Sequence, residues 1–138
     1  MVITKKISLE TKGECDIIDI TPHVEQQVAE TGINNGTVTV FVSGSTAGIA
    51  TIEHEPGVIS DFQNMWGRLV PKNIPYQHDR RWGDGNGFSH IRAAVLGASM
   101  VVPFNNQKLI LGTWQQLILV DFDNRPRSRQ IILQIMGE

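Results

Sequence analysis

The stretch Gly36–Val42 constrains the fold of this chain more than any other, because Val38, Val40 and Val42 alternate with Thr37, Thr39 and Phe41. β-Branched side chains at period two fit a pleated strand and lose rotamer freedom in a helix, so a strand is expected here. The same reading extends along the chain. Ile3, Lys5, Ile7 and Leu9 mark an opening strand, with Cys15–Ile20 as its expected partner. Ala47–Ile52, Met100–Phe104, a run from Leu109–Leu111 into Trp114–Phe122, and Gln130–Met136 follow as strands, with an Asn105-Asn106 turn after the second of these. Helices are expected over 22–31, behind a Thr21-Pro22 start, over Pro56–Trp66, and over Gly87–Leu96 between an Asn86 cap and Gly97. Strands dominate and do not alternate regularly with helices. The expected fold is therefore α+β, a single compact domain over 1–138 with a mostly antiparallel sheet or sandwich and a few helices.

A chain of 138 residues, 41% hydrophobic and 19% charged, can bury a core without a disulfide or a structural metal. Its net charge of −2 gives no general attraction to nucleic acid or to an anionic membrane. Cys15 is the single cysteine, so no internal disulfide forms and a cytoplasmic home is expected. No segment approaches the roughly 18 apolar residues of a membrane helix.

The stretch His78–His90, HDRRWGDGNGFSH, concentrates polar chemistry. Two imidazoles bracket Asp79, Asp84 and Asn86, while Gly83, Gly85 and Gly87 allow the backbone to double back. Spacing alone leaves two readings open, a solvated loop or a metal site at His78 and His90 with Asp84 as an additional ligand. Glu53, His54 and Glu55 end the Ala47–Ile52 strand, and alternation would put the two glutamates on one face. Arg125, Arg127 and Arg129 recur at every second position. In an extended backbone their forked guanidiniums would share a side and suit a phosphate, while a solvated turn is the other reading. Ser45 and Thr46, in Gly44-Ser45-Thr46, offer hydroxyls and amides to an anion. Trp114 and Gln115 begin a strand, and Trp114 reads either as core or as a platform for a ligand ring.

Taken in order, GSTAGIATIEHEPG, YQHD, DGNGFSH, LGTWQQ and DFDNRPRSR resemble the motifs of the YjbQ-type family, whose members are often labelled secondary thiamine-phosphate synthases. The resemblance runs from about residue 5 to the C-terminus. It implies an α+β homotrimer with a site near subunit boundaries, a divalent metal (Mg, Zn or Mn), and thiamine-phosphate-forming activity in some members. By matching positions it implies His78 and His90 as metal ligands, Glu53 as the acidic residue and Arg127 as the arginine of the last motif. Many members read His-Thr-Thr-Ala where this chain has Gly44-Ser45-Thr46-Ala47, so one imidazole is missing, the remaining ligand positions fall to Glu53, an aspartate such as Asp84 or water, and oxygen-preferring metals gain ground. The expected function is a metal-assisted transferase on phosphorylated heterocycles that releases pyrophosphate. Arg125, Arg127 and Arg129 would hold the phosphates, Ser45, Thr46, Trp114 and Gln115 the remainder of the ligand, and Glu53 or Asp79 would act as base. A metal-dependent phosphate-ester hydrolase, or a non-catalytic metal- or anion-binding trimeric module, is the alternative, with a small phosphorylated metabolite as the expected partner.

Overall fold

Twelve elements follow one another in the computed structural model, which describes residues 1–138: β1 (Val2–Thr11), β2 (Asp16–Asp19), α1 (Thr21–Glu30), β3 (Gly36–Ser43), β4 (Ala47–Ile52), α2 (Pro56–Leu69), α3 (Gln77–Trp82), α4 (Gly87–Leu96), β5 (Ser99–Asn105), β6 (Lys108–Leu109), β7 (Gln116–Asp121) and β8 (Arg127–Gly137). They form a five-stranded sheet of order β1-β8-β3-β5-β6 and a three-stranded sheet of order β2-β7-β4. Every pairing is antiparallel. The fold is α+β.

Three layers result. Val38, Val40, Val42, Ile131, Leu133 and Ile135 point from the large sheet onto Leu117, Leu119 and Ile49 of the small one, with Val24 and Val28 of α1 in the same core. Each such side chain contributes about 1.5–3 kcal/mol when fully buried. The opposite face of the small sheet, with Ile17, Ile118, Val120 and Phe122, packs on Trp66 of α2 and on Phe88 and Ala93 of α4. Trp66 meets Phe122 edge-on at 4.9 Å. Strand β7 is thus covered on both faces, which is why Leu117–Val120 is an unbroken apolar run.

Several expectations change. Strand β1 pairs with β8, in register from Val2 opposite Met136 to Thr11 opposite Arg127, and β2 pairs instead with β7. A left-handed φ of 63° at Cys15 delays β2 to Asp16 and steers it out of the large sheet. The single strand expected from Leu109 to Phe122 divides, β6 staying with the large sheet and β7 crossing to the small one. The hairpin turn is Asn106-Gln107, both left-handed, with Asn105 opposite Lys108. Glu55 caps α2 through the Val58 amide, whereas Thr21 caps nothing and accepts from the Leu117 amide. Helix α3 lies inside the stretch read as a polar run. It buries no side chain and closes on Gly83 at φ 65°, a position that asks for glycine.

Candidate functional site

Strands β4, β7 and β8 end beside one another, and their ends form one wall of a polar cavity. Arg129 donates from Nε to Asp121 Oδ2 at 2.7 Å and from Nη2 to Asp121 Oδ1 at 2.9 Å. Both residues are buried, Asp121 completely. Thr11 Oγ1 donates to the same carboxylate and Thr46 Oγ1 accepts from Arg129 Nη2. Two residues on, Asp123 Oδ2 accepts from Thr46 Oγ1 at 2.9 Å and Asn86 Nδ2 at 3.1 Å, and Arg127 Nε lies 3.0 Å away. Burial works to raise the Asp123 pKa, but the donors Thr46, Asn86 and Arg127 and the Arg125 amide outweigh it and hold the group below its ordinary value.

The other wall belongs to α4 and the loop before it, through Asp84, Asn86 and His90, with α3 packed beside them. His78 and His90 bring their rings to 4.4 Å between centroids at a 40° tilt. His78 Nδ1 lies 3.6 Å from Asp79 Oδ1 and 3.4 Å from Asp84 Oδ1, is sealed from solvent, and makes no hydrogen bond. Ligand atoms of His78, Asp79 and Asp84 all fall within 4.8 Å of one another, a spacing one cation can span. Asp79 Oδ1 also accepts from the Gly87 amide and so ties α3 to the start of α4. A Cβ on Gly87 would fall 2.7 Å from Tyr76 Cβ, so glycine lets the two helices approach. Desolvation first, and then the neighbouring His78, lower the His90 pKa, which favours the neutral imidazole.

Between the walls lies a cavity of 370 Å³ lined by no apolar residue, with Ser45, Asp84, His90, Asp123, Arg127 and Ser128 among its lining. Gly44, Ser45 and His90 also border a second lobe of 300 Å³, walled by Ala47, Ala93, Ala94 and Ala98. The geometry provides the Ser45 hydroxyl, a guanidinium and clustered ligand atoms on one side of His90 and an apolar lobe on the other.

A family model described as UPF0047 protein YjbQ-like matches residues 5–138. The chain belongs to this family. A UPF0047 protein of Archaeoglobus fulgidus is 37% identical over 95% of this chain and 99% of its own length, and YugU of Bacillus subtilis is 34% identical over 96% and 98%. The crystal structure of a YbjQ-like protein of unknown function from Sulfolobus solfataricus superposes with a TM-score of 0.93 at 36% identity, covering 100% of this chain and 99% of that one.

In this YjbQ-like chain the residues picked out from sequence separate into two groups. His78, His90, Asp79, Asp84, Ser45, Thr46, Arg127 and Arg129 gather at the cavity. Glu53, Trp114 and Gln115 do not. Strand β4 runs from Ala47, opposite Asp121, to Ile52, opposite Gln116, so these three sit about 20 Å away at its far end. Glu53 is exposed there, and Gln115 bonds the Gly112 amide and Thr51 Oγ1. Strand β4 stops at Ile52, so Glu53 and Glu55 do not share a strand face, and Glu55 is a helix cap.

The arginine row also differs from its expected form. Asp123 takes the Arg125 amide on Oδ1 in a local turn, which bends the chain and leaves Arg125 exposed and outside the cavity lining. Arg129 is spent on Asp121. Arg127 alone keeps its fork at the cavity, with its side chain 38% exposed. Asn86 stands at the start of α4 without capping it, because its side chain serves Asp123, Ser89 and the Asn124 amide. Sequence reading passed over Asp121, Asp123 and Ser128. The available signal was two aspartates set into the apolar end of β7, where an unpaired carboxylate is too costly to keep.

Proposed function

We propose that this protein carries out a metal-assisted reaction on a small phosphorylated heterocycle, resembling the formation of thiamine phosphate with release of pyrophosphate. The observation that carries the reading is the pair of lobes joined at His90: a polar cavity for the phosphate end and a 300 Å³ alanine-walled lobe for an apolar part of the ligand. The donor set fits a divalent cation, Mg, Mn or Zn, because His78 Nδ1 is sealed, unpaired and set against two carboxylates. His78, Asp79 and Asp84 would hold it, with His90 adjacent. When bound, such a cation neutralises charge on phosphate oxygens.

The chain's own residues supply the rest. Arg127, its Nε ion-paired with Asp123 Oδ2 at 3.0 Å, can present its terminal nitrogens to a phosphate. Ser45 adds a hydroxyl donor from the strand wall, whereas the Ser128 hydroxyl is already given to the Glu10 carboxylate. His90, held neutral, can accept a proton from a group bound between the lobes. Glu53 and Trp114 of the same chain are too distant to act as base or ring platform. In this reading Asp79 orients and ligates, since one of its oxygens already holds Gly87.

The reading is tested by incubating metal-loaded protein with an aminopyrimidine methyl diphosphate and a thiazole phosphate and following pyrophosphate. Stoichiometric pyrophosphate and thiamine phosphate are expected. Orthophosphate release from a phosphate monoester, with no coupled product, would replace transfer by hydrolysis; saturable binding without turnover would replace both by a binding module.

Assembly into a homotrimer forms part of the same proposal. Val2, Phe41, Val101 and Met136 are exposed on the outer face of the large sheet, where Val2 lies opposite Met136 and Thr39 opposite both Val101 and Gln134. An apolar face of this kind favours self-association. Light scattering at micromolar concentration checks it, and a monomer mass would remove it.

A further inference from the structure

A second cleft lies on the helical side of the small sheet, away from the histidines. It measures 410 Å³ and is lined by Glu14, Cys15, Gln63, Gly67, Lys72, Asn73 and Arg92. Its floor is Arg92 on α4, which is only 3% exposed. The one hydrogen bond of Arg92 runs from Nε to the Val70 carbonyl at 3.0 Å. It joins none of the ion pairs in the molecule, which involve Lys72, His78, Arg127 and Arg129. Its guanidinium rests on the Phe88 ring, 4.9 Å from the centroid, with Lys72 Nζ 5.2 Å from the same ring.

A buried arginine without a counter-ion is unusual, because desolvation of a cation is costly unless its donors are used. The sealed side-chain polar atoms of this protein that make no hydrogen bond are Trp66 Nε1, His78 Nδ1 and Arg127 Nε. The terminal nitrogens of Arg92 are not among them, so they open on the cleft with their donors free. The fork is held rigid by the Val70 carbonyl and the Phe88 face, which lowers the ordering cost of a bidentate contact. Around it stand the Lys72 ammonium and the side-chain amide of Asn73, both suited to an oxyanion, and the Gln63 amide, which already donates to the Cys15 carbonyl. Glu14 is the one carboxylate in the lining and is already paired with Lys72. Gly67 borders the mouth, and an added Cβ there would touch nothing within 4 Å, so a larger side chain can be placed at the rim.

We propose that this cleft is a second binding site, independent of the histidine cavity, for the phosphate or carboxylate end of a small metabolite, with Arg92 as its bidentate anchor.

The test uses the full chain carrying Arg127→Ala, so that the histidine cavity does not obscure the measurement, with inorganic phosphate and acetate titrated separately by calorimetry. Saturable binding of at least one of them at one per chain is expected. Preference for phosphate marks a phosphate ester as the ligand class, and preference for acetate a carboxylate. Adding Gly67→Phe fills the mouth without touching the Arg92–Val70 bond and should weaken binding about tenfold or more. Arg92→Gln should abolish it, but the loss of a buried contact can also disturb the fold, so the Gly67 variant decides, with circular dichroism confirming that it is folded. No saturable binding in Arg127→Ala, or equal affinity with and without Gly67→Phe, would overturn the site.

Discussion

The strand wall of the histidine cavity and the helix wall facing it are both built from charged groups, yet they treat those charges differently. On the strand wall Asp121 and Arg129 form two parallel hydrogen bonds, Thr11 and Thr46 take up remaining positions, and Asp123 receives Thr46 and Asn86. On the helix wall His78 Nδ1 faces two carboxylates at 3.4 and 3.6 Å and bonds neither. A saturated network fixes geometry and resists change, while an unsaturated one keeps coordination capacity for something that arrives. The strand wall is therefore a frame and the helix wall a receptor.

The largest effect should come from breaking the frame. Arg129→Met leaves Asp121 fully buried without its cation, and removal of one partner from a buried pair typically costs about 3–5 kcal/mol. Urea unfolding at constant m should register that loss. A loss below about 1 kcal/mol would mean that the Arg129 pair is not what holds the strand ends together.

His78→Ala should have the opposite profile. Stability of the metal-free protein should stay nearly constant, because the helix carrying His78 buries no side chain. Retention of Mn or Zn through gel filtration should fall at least about tenfold, as measured by elemental analysis. Equal metal content in variant and parent would remove the receptor role of this wall.

Asp123 connects the two walls through Asn86 and Arg127, and its effect depends on pH. Its folded pKa lies below the ordinary 3.8, so the unfolded chain binds more protons between the two values and stability falls as pH falls through that window. Above 3.8 the stabilisation is complete. The stability difference between the parent and Asp123→Asn should be constant from pH 7 to about 5 and shrink at lower pH. A difference that grows on acidification would show that burial, and not the donors, dominates at this carboxylate.

Reading the sequence reached the frame and the receptor unequally. Strands β1, β3 and β8 alternate and pair through one buried face, so period two exposes them. Strand β7 is covered on both sides and has no alternation, which left its partners and its separation from β6 unreadable. Helix α3 has no apolar face to give it a period; a left-handed glycine and the Asp79–Gly87 bond hold it in place. The histidines were legible as chemistry because ligand-type residues cluster there in sequence. The roles of Asp121 and Asp123 depend on partners 8 residues and 77 residues away, Arg129 and Thr46, which no local pattern ties to them. The arginine row failed for a local reason, the turn at Asp123 that bends Arg125 away.

Trp114 tests whether the helix wall and the frame complete the cavity within one chain. Trp114 is 74% exposed, and the pairing of Ile52 with Gln116 keeps it at the end of β4 remote from Thr46. Trp114→Ala should change stability by no more than about 0.5 kcal/mol, since an exposed side chain loses little packing on truncation. The cavity of the same chain keeps Arg127, Ser45, Ser128 and His90, with His78 beside it, in this variant. Pyrophosphate titrated into metal-loaded Trp114→Ala should therefore bind within about twofold of the parent, far inside the tenfold that corresponds to 1.4 kcal/mol. Weaker binding than that, with the thermal transition unmoved, would bring a second copy into the argument. A ring 20 Å or so from its own cavity can reach a ligand only in the cavity of a neighbour, and the receptor wall would then be completed across a subunit boundary.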